Sequence, residues 1–251
     1  METPVHQPPE EQGEAGFSTL FRNKQFMTLW IAQVFSQFGD RAVFVLFVAV
    51  LTAAQLQSRL AEIGAAAMTS LLYVAFTIPA ILLSPIAGVY VDRWSQKWVM
   101  VISNVLRGLA IGLVAFPQVA HNVWLCFGLA FLSSVSTQFF GPAETASIPR
   151  LVSRNELYAA NSLFFTTMMI ALGFGFAIGE PIITHVGVNN APWAVGALFG
   201  IAALLLVFIK DTHVKTTERE AWWEELRFGL AYISGNAMVF RAIMKITILF
   251  S

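Results

Sequence analysis

Three charged side chains of this 251-residue chain lie near the middle of long apolar stretches. Asp40 and Arg41 fall near the middle of the apolar run 26–54, and Arg107 falls near the middle of the run 98–116. A charge at the depth of a lipid bilayer is costly unless it is paired or hydrated, so it marks either a function or a specific pairing. The chemistry open to such groups is proton transfer, ion binding or recognition of a polar ligand.

Polar residues also follow one face of the first apolar run. They recur in i, i+3, i+4, i+7 order, as Gln33, Ser36, Gln37 and Asp40. Such a face must turn towards a bundle interior or a hydrated cavity. Neighbouring helix positions point about 100° apart, so Asp40 and Arg41 do not satisfy each other, and we predict that Asp40 pairs with Arg107. Two interpretations stay open: a fixed ion pair that locks two helices, or a substrate or proton site.

The fourth apolar run adds a second polar group, Ser133, Ser134, Thr137 and Gln138. Hydroxyls in membrane helices mostly bond to their own backbone or to a neighbouring helix, and we expect that here. The amide of Gln138 is the exception. We predict a substrate or proton pathway lined by Asp40, Gln33, Gln37, Arg107 and Gln138.

The elements that must position these residues are apolar helices. About 20 apolar residues cross a bilayer core of about 30 Å, and six runs qualify: 26–54, 66–91, 98–116, 123–145, 159–186 and 193–209. They are continuously apolar rather than alternating, which disfavours membrane strands. With 57% hydrophobic residues, 12% charged residues and a mean hydropathy of +0.67, the chain is predicted to be an all-α membrane protein.

The composition also excludes other classes. The formal net charge of +0 argues against a nucleic-acid partner. Cys126 is the single cysteine, so the chain has no internal disulfide and no CxxC pair. No phosphate-binding loop, zinc-protease motif or nucleophile elbow occurs. We therefore predict no enzyme activity, no cofactor and no metal site; the partners are a lipid bilayer and a small molecule.

Lysine and arginine predict the orientation. They cluster at alternate ends of the runs, at Arg22, Lys24, Arg93, Lys97, Arg150, Arg154 and Lys210. Basic residues concentrate on the cytoplasmic side of a membrane. We expect a multi-pass protein of the inner or plasma membrane whose N-terminus lies in the cytoplasm.

The polar segments divide the chain further. Residues 1–22 are predicted to be a flexible cytoplasmic tail, 23–210 the six-helix domain, and 211–240 a cytoplasmic linker. The linker carries apolar residues at helical intervals, Trp222, Leu226, Leu230 and Ile233. They predict an amphipathic helix, either on the inner membrane surface or packed on cytoplasmic loops. Residues 241–251 are too few to span a bilayer and read as the start of a truncated seventh helix.

The turn after the second run reads GVYVDRWSQK over residues 88–97. It resembles the signature loop of the major facilitator superfamily, although Ser95 and Gln96 replace the usual Gly and Arg. The segments LWIAQVFSQFGD, FFGPAETASIPRLVSRNELYAANSL and EELRFGLAYI are similar to one bacterial branch of that superfamily. The branch includes enterobactin-type siderophore exporters, macrolide-efflux proteins and lysophospholipid transporters.

The resemblance implies two six-helix halves, each of two inverted three-helix repeats, that rock around a substrate near the bilayer midplane. This chain would supply the first half. The resemblance further implies a gating loop that latches the halves, with Gly88, Asp92, Arg93 and Lys97, and with Glu144 as the candidate partner of Arg93. Gly88 would let another helix pass close.

The expected function is ion-gradient-driven efflux of a small amphipathic molecule, with protons as the expected ion and Asp40 as the carboxylate to mutate first. One half lacks the opposing wall of the cavity, so we expect a missing second six-helix half. It would belong to the same polypeptide, of which this chain is a fragment, or to a separate chain or a second copy. The alternative function is a non-transporting membrane interaction protein.

Overall fold

The computed structural model describes residues 17–56 and 64–211, together with the isolated positions 227, 231, 232, 235, 236, 238, 239 and 241. Within the two continuous ranges every regular element is helical. The helices are α1 (Phe17–Arg22), α2 (Lys24–Leu56), α3 (Ala65–Arg93), α4 (Gln96–Leu113), α5 (Pro117–Ala120), α6 (Val123–Leu151), α7 (Leu157–Val186) and α8 (Ala191–Val207). A 3-10 turn, Arg154–Glu156, precedes α7.

The six predicted apolar runs correspond to α2, α3, α4, α6, α7 and α8, and the all-α fold class is confirmed. Among the described residues, four helical segments are long and apolar enough to cross a membrane: Lys24–Ala54, Ala66–Arg93, Val123–Leu151 and Arg154–Gly175. The remaining two helices are shorter, since α4 has 18 residues and α8 has 17. The chain is therefore described as a multi-pass helical membrane protein.

Side-chain caps define where several helices begin. The Asn23 side chain accepts from the first backbone N–H groups of α2, the Ser95 hydroxyl accepts from Trp98 N at the start of α4, and the Asn122 side chain caps α6. These short polar side chains satisfy backbone donors that have no partner in the first turn of a helix. Polar residues at the ends of the apolar runs thus define where the separate helices begin.

The helices pack so that a polar layer lies between two apolar clusters. α4 packs against α8 and α6, α3 packs against α6, and α2 packs against α8 and α7. One cluster includes Phe47, Leu72 and Phe199, and the other includes Phe26 and Met100. In α2 and α4, the first cluster includes buried residues within 42–54 together with Ile111. The second includes buried residues within 26–32 and 99–101. The polar segments 33–40 and 103–107 lie between them.

The basic residues gather at one end of the bundle, which we call the basic end. Four hydrogen bonds of 2.7 Å join the start of α2, the α3–α4 turn, the end of α6 and the end of α8: Asn23 to Leu151, Gln25 to Lys210, Ser95 to Asp211 and Gln96 to Arg150. The clustering predicted from the lysine and arginine pattern is therefore a feature of the folded chain. Its assignment to the cytoplasm remains a prediction.

Two sequence predictions differ from the structure or fall outside it. Residues 17–22, expected to belong to a flexible tail, form α1, because Leu20 is buried in the second apolar cluster. The amphipathic helix of the linker 211–240 and the seventh helix at 241–251 lie outside the continuously described residues.

The contact between α4 and α8 depends on glycine. A Cβ built on Gly196 of α8 would lie 3.2 Å from the carbonyl oxygen of Gly108 in α4, and the reverse distance is 3.3 Å. One turn further along α8, a Cβ on Gly200 would meet nothing within 4 Å. Small residues at such positions let membrane helices approach closely.

We predict that Gly196→Leu destabilises the bundle, because its side chain must separate α4 from α8, whereas Gly200→Leu is tolerated. Overpacking of this kind costs about 1–3 kcal/mol. The measurement is the apparent melting temperature of each variant in a mild detergent, followed by size-exclusion chromatography. Equal losses for the two leucine variants would contradict the close contact.

Candidate functional site

The centre of the polar layer is a buried ion pair. Arg107 on α4 has 0% exposure, and its Nη1 donates to both oxygens of Asp40 on α2, at 2.7 Å and 2.9 Å. The predicted pairing of Asp40 with Arg107 is confirmed. Burial of a guanidinium demands such a partner, because an unpaired charge inside an apolar bundle costs several kcal/mol.

The other nitrogens of Arg107 also have partners. Nη2 donates to the Ser36 hydroxyl and to Asn104 Oδ1, both at 3.0 Å, and Nε donates to the Ser103 carbonyl at 3.4 Å. The Ser36 hydroxyl itself donates to Asn104 Oδ1 at 3.1 Å. All three nitrogens of the guanidinium are thus hydrogen-bonded, which is the condition for keeping this charge buried.

Two aromatic rings enclose the guanidinium. The Cζ of Arg107 lies 4.5 Å from the ring centre of Phe140 on α6 and 4.7 Å from that of Phe199 on α8. Both distances are within the range of a cation–π interaction. Arg107 therefore contacts side chains from four helices, α2, α4, α6 and α8.

Asp40 separates Arg107 from a cavity of about 420 Å³. The side chain of Asp40 keeps 21% of its surface exposed. The cavity lining combines ionisable, amide, hydroxyl and aromatic groups from α2, α3, α6 and α7. It comprises Gln37, Asp40, Arg41, Val43, Phe44, Tyr73, Phe76, Ser133, Ser134, Thr137, Gln138, Phe140, Gly141, Glu144 and Met168.

Glu144 lies in this cavity, and not in the gating loop where the sequence placed it. Its side chain is buried, and Oε1 has no hydrogen-bond partner among the described residues. The expected pairing with Arg93 is therefore corrected. The reason is depth: the Ser134 hydroxyl bonds the Phe76 carbonyl at 2.7 Å, and this register of α6 on α3 leaves Glu144 well inside the bundle when Arg93 ends α3.

Arg41 is the second charged group of the cavity without a partner in the described part of the chain. Its Nε is buried and makes no hydrogen bond. Its side chain packs against the backbone of α7 at Gly175, where any Cβ would collide with Cβ and Cγ of Arg41. Glycine at this position therefore makes room for the arginine.

The other predicted pathway residues divide into two groups. Gln37 and Gln138 line the cavity beside Asp40. Gln33 does not line it: it is buried, and its Nε2 contacts the Phe164 carbonyl of α7 at 3.5 Å. Seven residues of helix separate Gln33 from Asp40, about 10 Å along the axis, and α7 covers α2 at that depth.

The hydroxyl groups of α6 behave as expected. Ser134 donates to α3, and Thr137 donates to the Ser133 carbonyl of its own helix at 3.1 Å. The amide of Gln138 also donates to its own helix, to the Ser134 carbonyl at 3.3 Å. These three side chains donate to backbone carbonyls. Among the described residues of the lining, the buried side-chain atoms without a hydrogen bond are Glu144 Oε1 and Arg41 Nε.

The predicted gating loop forms the α3–α4 turn at the basic end. Asp92 is exposed, Arg93 and Lys97 are half-buried, and Lys97 Nζ lies 5.5 Å from the Trp98 ring. A Cβ on Gly88 would meet nothing within 4 Å, so no described helix of this chain uses the close approach expected there.

Ser95 and Gln96, which replace the usual Gly and Arg of the signature loop, have defined partners. The Ser95 hydroxyl bonds the Asp211 carboxylate at 2.7 Å, and Gln96 accepts from Arg150 at 2.7 Å. Hydrogen bonds within the chain therefore connect the α3–α4 turn to neighbouring elements at the basic end.

Sequence reasoning missed some residues of the site. Asn104 was overlooked, although it lies three positions before Arg107 and so on the same helix face. Arg41 was noted but not assigned to the site, since nothing in the sequence shows that Gly175 leaves room beside it. The aromatic wall of Phe44, Tyr73 and Phe76 carries no sequence signal that separates it from ordinary lipid-facing residues.

Comparison with known proteins gives the family context. The sequence profile of the Major Facilitator Superfamily matches residues 29–250. An uncharacterized MFS-type transporter of Bacillus subtilis, YfiS, is 25% identical over 90% of this chain and 53% of its own length.

Two further relatives have names that state a cargo. A homolog of the multi-drug resistance efflux pump PmrA, from Lactococcus lactis, is 31% identical over 53% of this chain and 33% of its own length. The lysophospholipid transporter LplT of Cronobacter sakazakii is 26% identical over 78% of this chain and 43% of its own length. The chain spans about half or less of the length of the curated relatives it matches.

We predict that Asp40→Ala lowers the free energy of unfolding by about 3–5 kcal/mol, because it leaves Arg107 buried and unpaired. Adding Arg107→Met removes the charge at similar volume and should restore most of that loss. The measurement is a double-mutant cycle on thermal unfolding in detergent. A double variant whose loss equals the sum of the two single losses would contradict a direct interaction.

Proposed function

The chain belongs to the Major Facilitator Superfamily, and we propose that it forms one six-helix wall of a secondary transporter that exports a small amphipathic molecule in exchange for protons. The observation that carries this proposal is the cavity of about 420 Å³ with a buried, unpartnered carboxylate, Glu144, inside the helical bundle. A carboxylate at membrane depth without a fixed partner is typical of an ion or substrate pathway.

The lining of the cavity supports an amphipathic cargo. Rings of Phe44 and Tyr73 lie 4.7 Å apart and, with Phe76, form an apolar wall. Charged and amide groups line the rest of the cavity. Ligand sites commonly combine a mostly apolar lining with a few placed polar groups. The direction of transport is proposed by analogy with the relative that is named an efflux pump.

Of the two carboxylates in the cavity, Glu144 is the better proton carrier. It lines the same cavity as Asp40 and Arg41 from α2, Tyr73 from α3 and the uncharged Met168 from α7. Arg107 of α4 is bonded to Asp40 and does not line that cavity. A proton on Glu144 breaks no hydrogen bond with the described residues. A proton on Asp40 would remove the charge that compensates Arg107.

Asp40 therefore acts mainly as the fixed anchor of Arg107, and the proton pathway runs past it to Glu144. Of the two interpretations left open by the sequence, we propose the fixed ion pair for Asp40. The proton site that the sequence suggested at Asp40 is proposed to lie at Glu144 instead. Gln37 and Gln138 would bind the polar part of the cargo.

A complete pathway requires an opposing wall, which we propose is a second six-helix half. The matched stretch covers 53%, 33% and 43% of the three relatives described above, and inverted-repeat transporters enclose their cargo between two halves. The second half would come from the same polypeptide, a separate chain or a second copy. The α3–α4 turn, with Gly88 open to close approach, is the surface proposed to meet it, on the cytoplasmic side.

We predict that Glu144→Gln abolishes proton-driven flux while leaving thermal stability unchanged, because the amide keeps the shape but carries no proton. The assay is export of ethidium and of a fluorescent lysophospholipid in inside-out vesicles that contain the chain together with its second half. Flux should fall at least about tenfold, roughly 1.4 kcal/mol in the transport barrier.

The matched control is Glu156→Gln, which changes a carboxylate at the basic end that bonds Ser153 outside the cavity. It should keep wild-type flux. Gradient-driven flux that survives Glu144→Gln would contradict the proton assignment. Absence of flux for every cargo would favour a non-transporting interaction protein, and flux from vesicles with the 251-residue chain alone would show that copies pair.

A further inference from the structure

The cavity contains two charged side chains of opposite sign, Glu144 on α6 and Arg41 on α2, each with a buried atom that has no hydrogen-bond partner among the described residues. We propose that the cavity selects zwitterionic amphiphiles, with Glu144 binding the cationic group of the ligand and Arg41 binding its anionic group. This inference rests on the proposed transport function and names the ligand class of the same cavity.

The burial of Glu144 without a hydrogen-bond partner at Oε1 supports the proposal more strongly than the position of Arg41 does. Its exposure is 6%, and no described residue donates a hydrogen bond to Oε1. A buried carboxylate is stable when charged only if a cation or several donors face it. A ligand ammonium group would supply that cation, and the proton proposed above occupies the same oxygen when the ligand is absent. Ligand binding would then release that proton to water, which gives exchange.

Arg41 presents the complementary charge. The structure shows no carboxylate bonded to its guanidinium, and its Nε is buried without a partner. The backbone at Gly175 holds the aliphatic part of the side chain against α7. Because the guanidinium is a planar group with several donors, it suits a ligand carboxylate or phosphate.

Charge balance within the cavity favours a ligand with both charges. Asp40 and Arg107 neutralise each other through two hydrogen bonds. The remaining charges of the lining, Glu144 and Arg41, are one of each sign. A purely cationic ligand leaves Arg41 uncompensated, and a purely anionic ligand leaves Glu144 uncompensated. A zwitterion compensates both.

The two groups do not form an ion pair with each other, so the charges of the ligand must be separated by a spacer. The aromatic wall of Phe44, Tyr73 and Phe76 then contacts the apolar part of the ligand. The expected ligand therefore has an alkyl or aromatic body and two opposite charges on separate groups.

The test uses three probes with alkyl tails of similar length: a dodecyl dimethylammonio-hexanoate as the zwitterion, dodecyltrimethylammonium as the cation and laurate as the anion. Binding of the radiolabelled zwitterion to the purified chain is measured in a maltoside detergent at alkaline pH, with the other two probes as competitors. We expect the zwitterion to bind at least about tenfold more tightly than either competitor, which corresponds to roughly 1.4 kcal/mol.

The variants separate the two charges. Glu144→Gln should remove the advantage of the zwitterion over laurate, and Arg41→Gln should remove its advantage over dodecyltrimethylammonium. Glu156→Gln and Arg154→Gln, which neutralise one acid and one base at the basic end, are the matched controls and should keep the wild-type order. Melting temperatures verify that each variant is folded.

Equal affinity of the wild-type chain for all three probes would overturn the inference. So would an unchanged order of affinities in both cavity variants. A zwitterion preference without any flux in vesicles would contradict the proposed transport function and leave the ligand class standing. Flux of ethidium with no zwitterion preference would support the proposed transport function and overturn the ligand class.

Discussion

The buried guanidinium of Arg107 is the constraint on which the rest of the bundle depends. With no exposed surface, it must find a counter-charge and a partner for each nitrogen inside the protein. Asp40 and Ser36 from α2 and Asn104 from α4 supply them, and rings from α6 and α8 close the site. One residue thereby contacts four helices, and an apolar cluster lies on either side of the layer.

Charged residues that have a partner and those that lack one among the described residues have different proposed roles in this protein. Asp40 is held by Arg107, so its charge maintains the fold. Glu144 and Arg41 lie in the same cavity without partners among the described residues, so their charges are available to a proton or a ligand. A single cavity therefore combines a fixed ion pair with two charged groups that have no partner among the described residues, and the proposed transport function uses both.

The sequence predicted the features that depend on local periodicity. Long apolar runs located the helices, and the shared face on α2 led to the pairing of Asp40 with Arg107, because a charge at that depth needs an opposite one. Features that depend on the relative axial position of packed helices were not predictable from the sequence. The depth of α6 against α3 places Glu144 in the cavity instead of beside Arg93, and α7 covers Gln33.

We propose that Glu144 carries the exchanged proton, whereas Asp40 is committed to its two hydrogen bonds with Arg107. Infrared difference spectra of the reconstituted protein, recorded between alkaline and acidic buffer, test it directly. The account predicts that a protonated-carboxyl stretching band from inside the bundle appears in the wild-type chain on acidification and is lost in Glu144→Gln. The same band at full intensity in Glu144→Gln would contradict the account, since the proton would then bind elsewhere, with Asp40 the nearest carboxylate.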